Sequence, residues 1–236
     1  METIPVWDAF EAHSECALCL LQRKAEKEFV AFFLGSSVMA PEMRVQVNQT
    51  GFCPPHFSML LSGGNRLGLA LMTHTHLREL RKDMDHKLRL ASTVKANKKR
   101  VADLDELITG HLGSCLICER LDERFKRYAF TIAYLWQRDS EFRGTFVASH
   151  GFCIDHLRGL LWMARETLSP TLLPPFASEL SDIQDRAWDR LDSELLAFTG
   201  TFDHAAQVAT ASSGDRLARS VAAAIQKLTG ADVSSD

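Results

Sequence analysis

The chain lacks most of what would announce a familiar activity. No Gly-x-Ser-x-Gly elbow, phosphate-cradling glycine loop or His-Glu-x-x-His helix occurs in its 236 residues, so the usual signatures of hydrolases, nucleotide enzymes and zinc proteases are missing. No Asn-Gly or Asp-Gly pair offers a hairpin turn, and alternation of apolar and polar residues is weak throughout. Glycine and proline are scarce inside long stretches of helical spacing, which points to an all-α chain. Apolar runs such as Phe29 to Leu34 fall well short of the roughly 20 residues a membrane span needs. The first residues, Met1 to Asp8, carry no basic stretch followed by an apolar one, so a secretory leader is not expected and the cytoplasm is the default location. A net charge of −3 gives the whole molecule no attraction for nucleic acid or acidic lipid.

Cysteine is present in a way that composition alone does not explain. All six cysteines fall into two copies of one pattern: Cys16-x-x-Cys19 with Gly51-Phe52-Cys53-x-x-His56, and Cys115-x-x-Cys118 with Gly151-Phe152-Cys153-x-x-His156. The cysteine pairs are offset by 99 residues and the Cys-x-x-His pairs by 100. Glu42-Met-Arg44 and Glu141-Phe-Arg143 repeat at the same offset, so the duplication extends beyond the cysteines. Three disulfides would suit a small secreted domain and would leave two phased histidines unexplained. Three thiolates and an imidazole suit a tetrahedral zinc ion, with an iron–sulfur cluster as the runner-up.

Cys-x-x-Cys at a helix start sets two sulfurs one turn apart, and the positive end of the helix dipole favours thiolates there. Cys53 reads as a helix N-cap with Pro54 at the first helical position. Between the pairs lie 33 and 34 residues, enough for a helix out and a shorter segment back. The expectation is therefore duplicated, metal-pinned helical hairpins, with two zinc ions per chain, one ion per copy. Copy one spans 13–92, copy two 111–168, and a helical extension 170–236, all within a single domain 1–236. The metal ligands are Cys16, Cys19, Cys53 and His56 in one copy and Cys115, Cys118, Cys153 and His156 in the other.

Expected helices run from about Glu15 to Leu34, Pro41 to Val47, Pro54 to a break at Gly63-Gly64, and Leu67 to Ala91. A basic connector, Lys95 to Arg100, leads to a helix from Cys115. Later helices cover about Phe176 to Phe198 and Asp215 to Leu228, with a loop at Gln207 to Gly214. His13 and His111, just before the Cys-x-x-Cys pairs, could be spare or supporting groups but read rather as helix-capping or surface residues; His150 precedes only the second Gly-Phe-Cys, with Thr50 in that place in the first; His74 and His76, two apart on a helix, face different ways. Arg78 to Arg100 holds nine Lys/Arg against three Asp/Glu, which could touch phosphates, but a solvated helix face is the blander account.

The tandem Cys-x-x-Cys with Gly-Phe-Cys-x-x-His resembles an uncharacterised bacterial family, domain of unknown function 6062. Phe202-Asp203-His204 and the segment Arg219 to Gly230 look like that family's Phe-Asp-Tyr segment and closing helix, with His204 in the place of tyrosine. The resemblance implies a bacterial cytoplasmic protein and brings no activity with it.

Four-ligand zinc sites leave no position for a catalytic water. They favour a non-catalytic helical scaffold that binds a protein or small-molecule partner over an enzyme. An iron–sulfur or thiol-based redox protein is the alternative, and a nucleic-acid binder a further one.

Overall fold

The computed structural model describes residues 1–93, 98–200, 211–231 and 233, with the side chains of 211–218 left out of the description. The chain is all-α, and no strand occurs among the described residues. Its helices are α1 (Thr3–Glu11), α2 (Ala17–Leu34), α3 (Pro41–Thr50), α4 (Pro54–Ser62), α5 (Arg66–Ala91) and α6 (Lys98–Gly113). They continue as α7 (Leu116–Arg138), α8 (Ser140–Val147), α9 (Ile154–Thr167), α10 (Leu173–Gly200) and α11 (Ala211–Thr229). A 3-10 turn at Ser36–Met39 joins α2 to α3. No described helix is long and apolar enough to cross a membrane.

Local chemistry accounts for most boundaries. Cys53 and Cys153 are extended residues at the N-caps of α4 and α9, and Pro54 sits where its missing N–H costs nothing. Asn65 caps α5 by accepting from the N–H of Gly68 at 2.9 Å. Asp139 caps α8 through the N–H groups of Glu141 and Phe142. The basic connector differs from expectation: Lys95–Asn97 lie outside the described residues, but Lys98–Arg100 already belong to α6. That helix buries no residue, so it has no buried stripe to betray it. Of the loop expected at 207–214, residues 211–214 are helical and the rest lie outside the described residues, as do Phe202, Asp203 and His204.

The chain divides into two compact units, 1–23 with 124–236 (unit one) and 24–123 (unit two). The divisions fall inside α2 and α7. Unit one is built on aromatic packing: Phe10 meets Phe142 at 5.2 Å, Phe146 stacks with Phe176 at 5.6 Å, and Trp136 stands edge-on to Phe176 at 5.0 Å. Such contacts add about 0.5–1.5 kcal/mol each beyond area burial. Unit two has a core of its own around Phe33, Phe52, Leu60, Met72 and Ile117.

Neither unit is a sequence copy. Each takes the Cys-x-x-Cys of one copy and the Cys-x-x-His of the other, so a metal-pinned hairpin within each copy is not what forms. The backbone contacts at the turns show what forms instead: the Leu116 N–H donates to the Gly51 carbonyl at 3.0 Å, joining the Cys-x-x-Cys of copy two to the Cys-x-x-His of copy one, and the helices within each copy are unequal in length. The 18 residues of α2 carry the chain about 27 Å along the axis, whereas the 10 of α3 return only about 15 Å. In copy two the mismatch is larger, about 34 Å out along α7 against about 12 Å along α8.

Candidate metal centres

The eight phased residues gather as two groups of four. In unit one Cys16 and Cys19 meet Cys153 and His156; in unit two Cys53 and His56 meet Cys115 and Cys118. Within each group the four ligand atoms all lie within 4.8 Å of one another. The expected pairing within each copy is thereby corrected: the centres are exchanged between copies.

In the first centre the His156 Nδ1 lies 3.5, 3.3 and 3.1 Å from the sulfurs of Cys16, Cys19 and Cys153, and Cys19 and Cys153 sulfurs are 3.6 Å apart. In the second, His56 Nδ1 is 3.1, 3.2 and 3.4 Å from Cys53, Cys115 and Cys118, and the Cys53 and Cys118 sulfurs are 3.8 Å apart. All six cysteines are free, and these separations are far beyond a disulfide bond. A regular tetrahedron around one zinc ion would have edges of about 3.8 Å between sulfurs and about 3.6 Å from sulfur to nitrogen. The donors therefore stand close to a single-ion geometry.

Each sulfur and imidazole comes from a helix start. Cys16 and Cys115 immediately precede α2 and α7, Cys53 and Cys153 cap α4 and α9, and the second member of each pair follows in the first turn. Two positive helix ends thus converge on each set of thiols. Gly51 (φ 67°) and Gly151 (φ 83°) make the turn into the Cys-x-x-His pairs in backbone regions that side chains resist. In unit two the turn is held by the Leu116 N–H donating to the Gly51 carbonyl at 3.0 Å, and by Ser114 Oγ donating to the Thr50 carbonyl at 2.6 Å. In unit one the Gln184 side chain grips Phe152 twice, accepting from its N–H and donating to its carbonyl, both at 3.1 Å.

Lys227 performs the corresponding stitch in unit one. Fully buried, it donates to the carbonyls of Glu15 and His150, the residues matching Ser114 and Thr50, and lies 3.5 Å from the Glu15 carboxylate. Burial pulls its pKa down, opposed by the charge of Glu15. The Gly230 carbonyl at the end of α11 lies 3.7 Å from the Cys19 sulfur.

The outer nitrogen of each histidine is also held. His156 Nε2 donates to Gln22 Oε1 at 2.6 Å and its ring stacks on Phe125 at 5.3 Å; His56 Nε2 donates to the Glu26 carboxylate at 3.0 Å. Such partners fix the tautomer that leaves Nδ1 free to coordinate. Neither Gln22, Glu26, Phe125 nor Lys227 was singled out from sequence. The repeat offered a clue, since Glu26 and Phe125 are offset by the same 99 residues as the cysteine pairs.

Taken without an ion, the thiols in each group compete for protons. Burial raises Cys16, but hydrogen bonds from Cys153 and Cys19 outweigh it and bring it well below the ordinary thiol value, while Cys19 is pushed up by its hydrogen bonds to Cys153 and Cys16. Burial also raises Cys115, and hydrogen bonds led by His56 pull it down to about 6; Cys118 is raised by burial and by Cys115. Burial would lower His56, yet Cys115 and Glu26 raise it to about 10. The two centres differ in cover: Cys16, Cys19, Cys153 and His156 are all buried, whereas Cys53 is half-buried and Cys118 exposed. His13, His74, His76, His111 and His150 belong to neither group.

The sequence model described as Family of unknown function (DUF6062) matches residues 1–234. The chain belongs to this family. Comparison with curated proteins and with solved structures gave no match. Both centres lie within the stretch the DUF6062 match spans, and the family description carries no activity to test against them.

Proposed function

We propose that each centre holds one zinc ion and that the two ions fix a helical scaffold whose role is to bind a partner. The observation that carries this reading is the closeness of each donor set: three sulfurs and one imidazole nitrogen within 4.8 Å of one another. That spacing suits a single ion, whereas an iron–sulfur cluster distributes its ligands over two or more irons. The cysteine-rich donor set with one histidine is the common structural zinc set, and the Nε2 partners Gln22 and Glu26 match the outer support such sites use.

With four protein ligands the ion has no position left for a substrate or an activated water. Its contribution is then to folding: metal binding joins the helix starts of two chain segments 134 or more residues apart in unit one and 59 or more apart in unit two. Elemental analysis of protein purified without added metal tests the reading, with X-ray absorption to define the shell. Two zinc ions per chain, each with three sulfurs and one nitrogen, are expected. Iron in a coloured protein, or water in the first shell, would overturn it.

The exposed Cys118 favours a second reading for the second centre alone, in which its thiolates exchange metal or react while the buried first centre does not. Alkylation that released one ion quickly and left the other would support it.

A further inference from the structure

Helices α5 and α6 pair as an antiparallel hairpin in unit two. His76 stacks on His111 at 5.3 Å, and farther along Lys87 Nζ donates to the Asp103 carbonyl at 2.8 Å. These contacts mark the line along which the two helices meet. Leu77, Met84 and Leu88 lie about a quarter turn round α5 from that line, at i, i+7 and i+11. Val101, Ile108 and Leu112 repeat the same spacing about a quarter turn round α6. Because the helices run in opposite directions, both rows come round to the same side of the hairpin. Each row extends about 17 Å along its axis.

That side faces water in a single copy. Leu77, Leu88, Val101 and Leu112 are 59, 46, 56 and 74 % exposed, and α6 buries none of its 16 residues. A helix of this length owes most of its stability to packing an apolar face. The opposite side of the hairpin is polar, with Glu79 and His86 on α5 and Lys99 and Glu106 on α6, all exposed. The exposed apolar surface is therefore confined to one broad face, two helices wide.

Charge selects what can cover it. From Arg78 to Arg89, α5 carries five Lys/Arg against three Asp/Glu, whereas α6 from Val101 to Gly113 carries three Asp/Glu and neither lysine nor arginine. A second copy turned about a two-fold axis along the hairpin lays each α5 on the other chain's α6, basic helix on acidic helix. Every neighbouring helix pair is then antiparallel, as in an up-down four-helix bundle. The levels also agree. Arg81 lies five residues beyond His76, and Asp105 six residues before His111, so the two stand at one height on the outer edges of the two rows. Within one copy Arg81 is 78 % exposed and reaches only Asp85, at 3.5 Å.

We propose that the chain forms a two-fold dimer through this face, with Leu77, Met84 and Leu88 of each copy packed on Val101, Ile108 and Leu112 of the other and Arg81 paired with Asp105 of the second copy. The dimer is independent of whether zinc fills the cysteine centres.

Sedimentation equilibrium of the full chain from about 1 to 100 µM tests the proposal. Twice the chain mass is expected at the upper end. Leu88→Glu combined with Val101→Glu, both already in water in a single copy, should raise the dissociation constant about tenfold or more and leave the circular dichroism of the monomer helical. Lys99→Glu, on the polar side, should leave association unchanged. Arg81→Asp and Asp105→Arg should each weaken the dimer, and the two together in one chain should restore it. A monomer up to about 100 µM would overturn the proposal and leave the face to a different protein. A dimer unaffected by the glutamate pair, or charge variants no better together than apart, would overturn it too.

Discussion

Glu26 and Phe125 occupy the same position in the two copies, seven residues after the second cysteine of each Cys-x-x-Cys pair, and each meets the histidine of its own copy, which belongs to the other centre from that cysteine pair. Glu26 accepts a hydrogen bond from His56 at 3.0 Å, whereas Phe125 stacks on His156 and leaves the acceptor role to Gln22. One centre therefore has a carboxylate behind its imidazole and the other a neutral amide. Glu26→Ala should weaken metal binding at the second centre about 10- to 100-fold and leave the first unchanged. Gln22→Ala should do the reverse. Competition with a colorimetric chelator reads this directly, because only one of two ions should become easier to remove in each variant.

Metal uptake should release protons. Near about pH 8 the second centre without an ion holds a proton on His56, whose pKa is raised to about 10, and on Cys118, which is also raised, while Cys115, lowered to about 6, has already lost its own. Since the ion takes only deprotonated ligands, binding must expel those two. The sign follows: affinity falls as pH falls, and falls more steeply below about 6 once Cys115 also gains a proton. Titration of chelated protein in two buffers of different ionisation enthalpy should give a proton release of about two or more for this centre. Uptake without release would contradict the charge arrangement.

The turn glycines should be graded in their tolerance of alanine. Gly51 has φ 67° and ψ −156°, a region costing other residues about 1–3 kcal/mol, and a methyl there would come within 2.5 Å of His76 Nε2. Gly64 also has positive φ, but a methyl there meets nothing within 4 Å. Gly51→Ala should therefore lower the melting temperature distinctly more than Gly64→Ala. Gly151→Ala, where a methyl would lie 3.1 Å from Ala187, should fall between them.

Lys227→Met keeps much of the buried volume and removes the donor shared by the Glu15 and His150 carbonyls. A loss of about 2–3 kcal/mol is expected in chemical denaturation, with easier chelation of the first centre and no change at the second. Equal stability would mean that the buried ammonium is not needed there.

Much of this was legible in the residues themselves. Helical spacing, scarce glycine and proline, and the repeated ligand order are local or periodic, so the all-α class and the eight candidate ligands could be read directly. The partnering of the pairs is a matter of tertiary structure. Both pairings bring the same donor types together, so the repeat alone does not say which Cys-x-x-His each Cys-x-x-Cys meets. Lys227 was not readable because a lysine on an amphipathic helix ordinarily faces water, and its burial depends on the carbonyls of residues far back in the chain. Helix α6 was missed for the opposite reason. It buries nothing, so its charged start resembles a linker.

Each candidate centre takes its cysteine pair from one copy and its Cys-x-x-His from the other. Two double variants test it, scored by the number of zinc ions retained against a chelator. Cys16→Ser with Cys153→Ser damages only the first centre and should keep one ion per chain. Cys16→Ser with Cys53→Ser damages both centres and should keep none. The opposite outcome, one ion kept by the Cys16/Cys53 variant and none by the Cys16/Cys153 variant, would place each ion within a single copy and contradict the account.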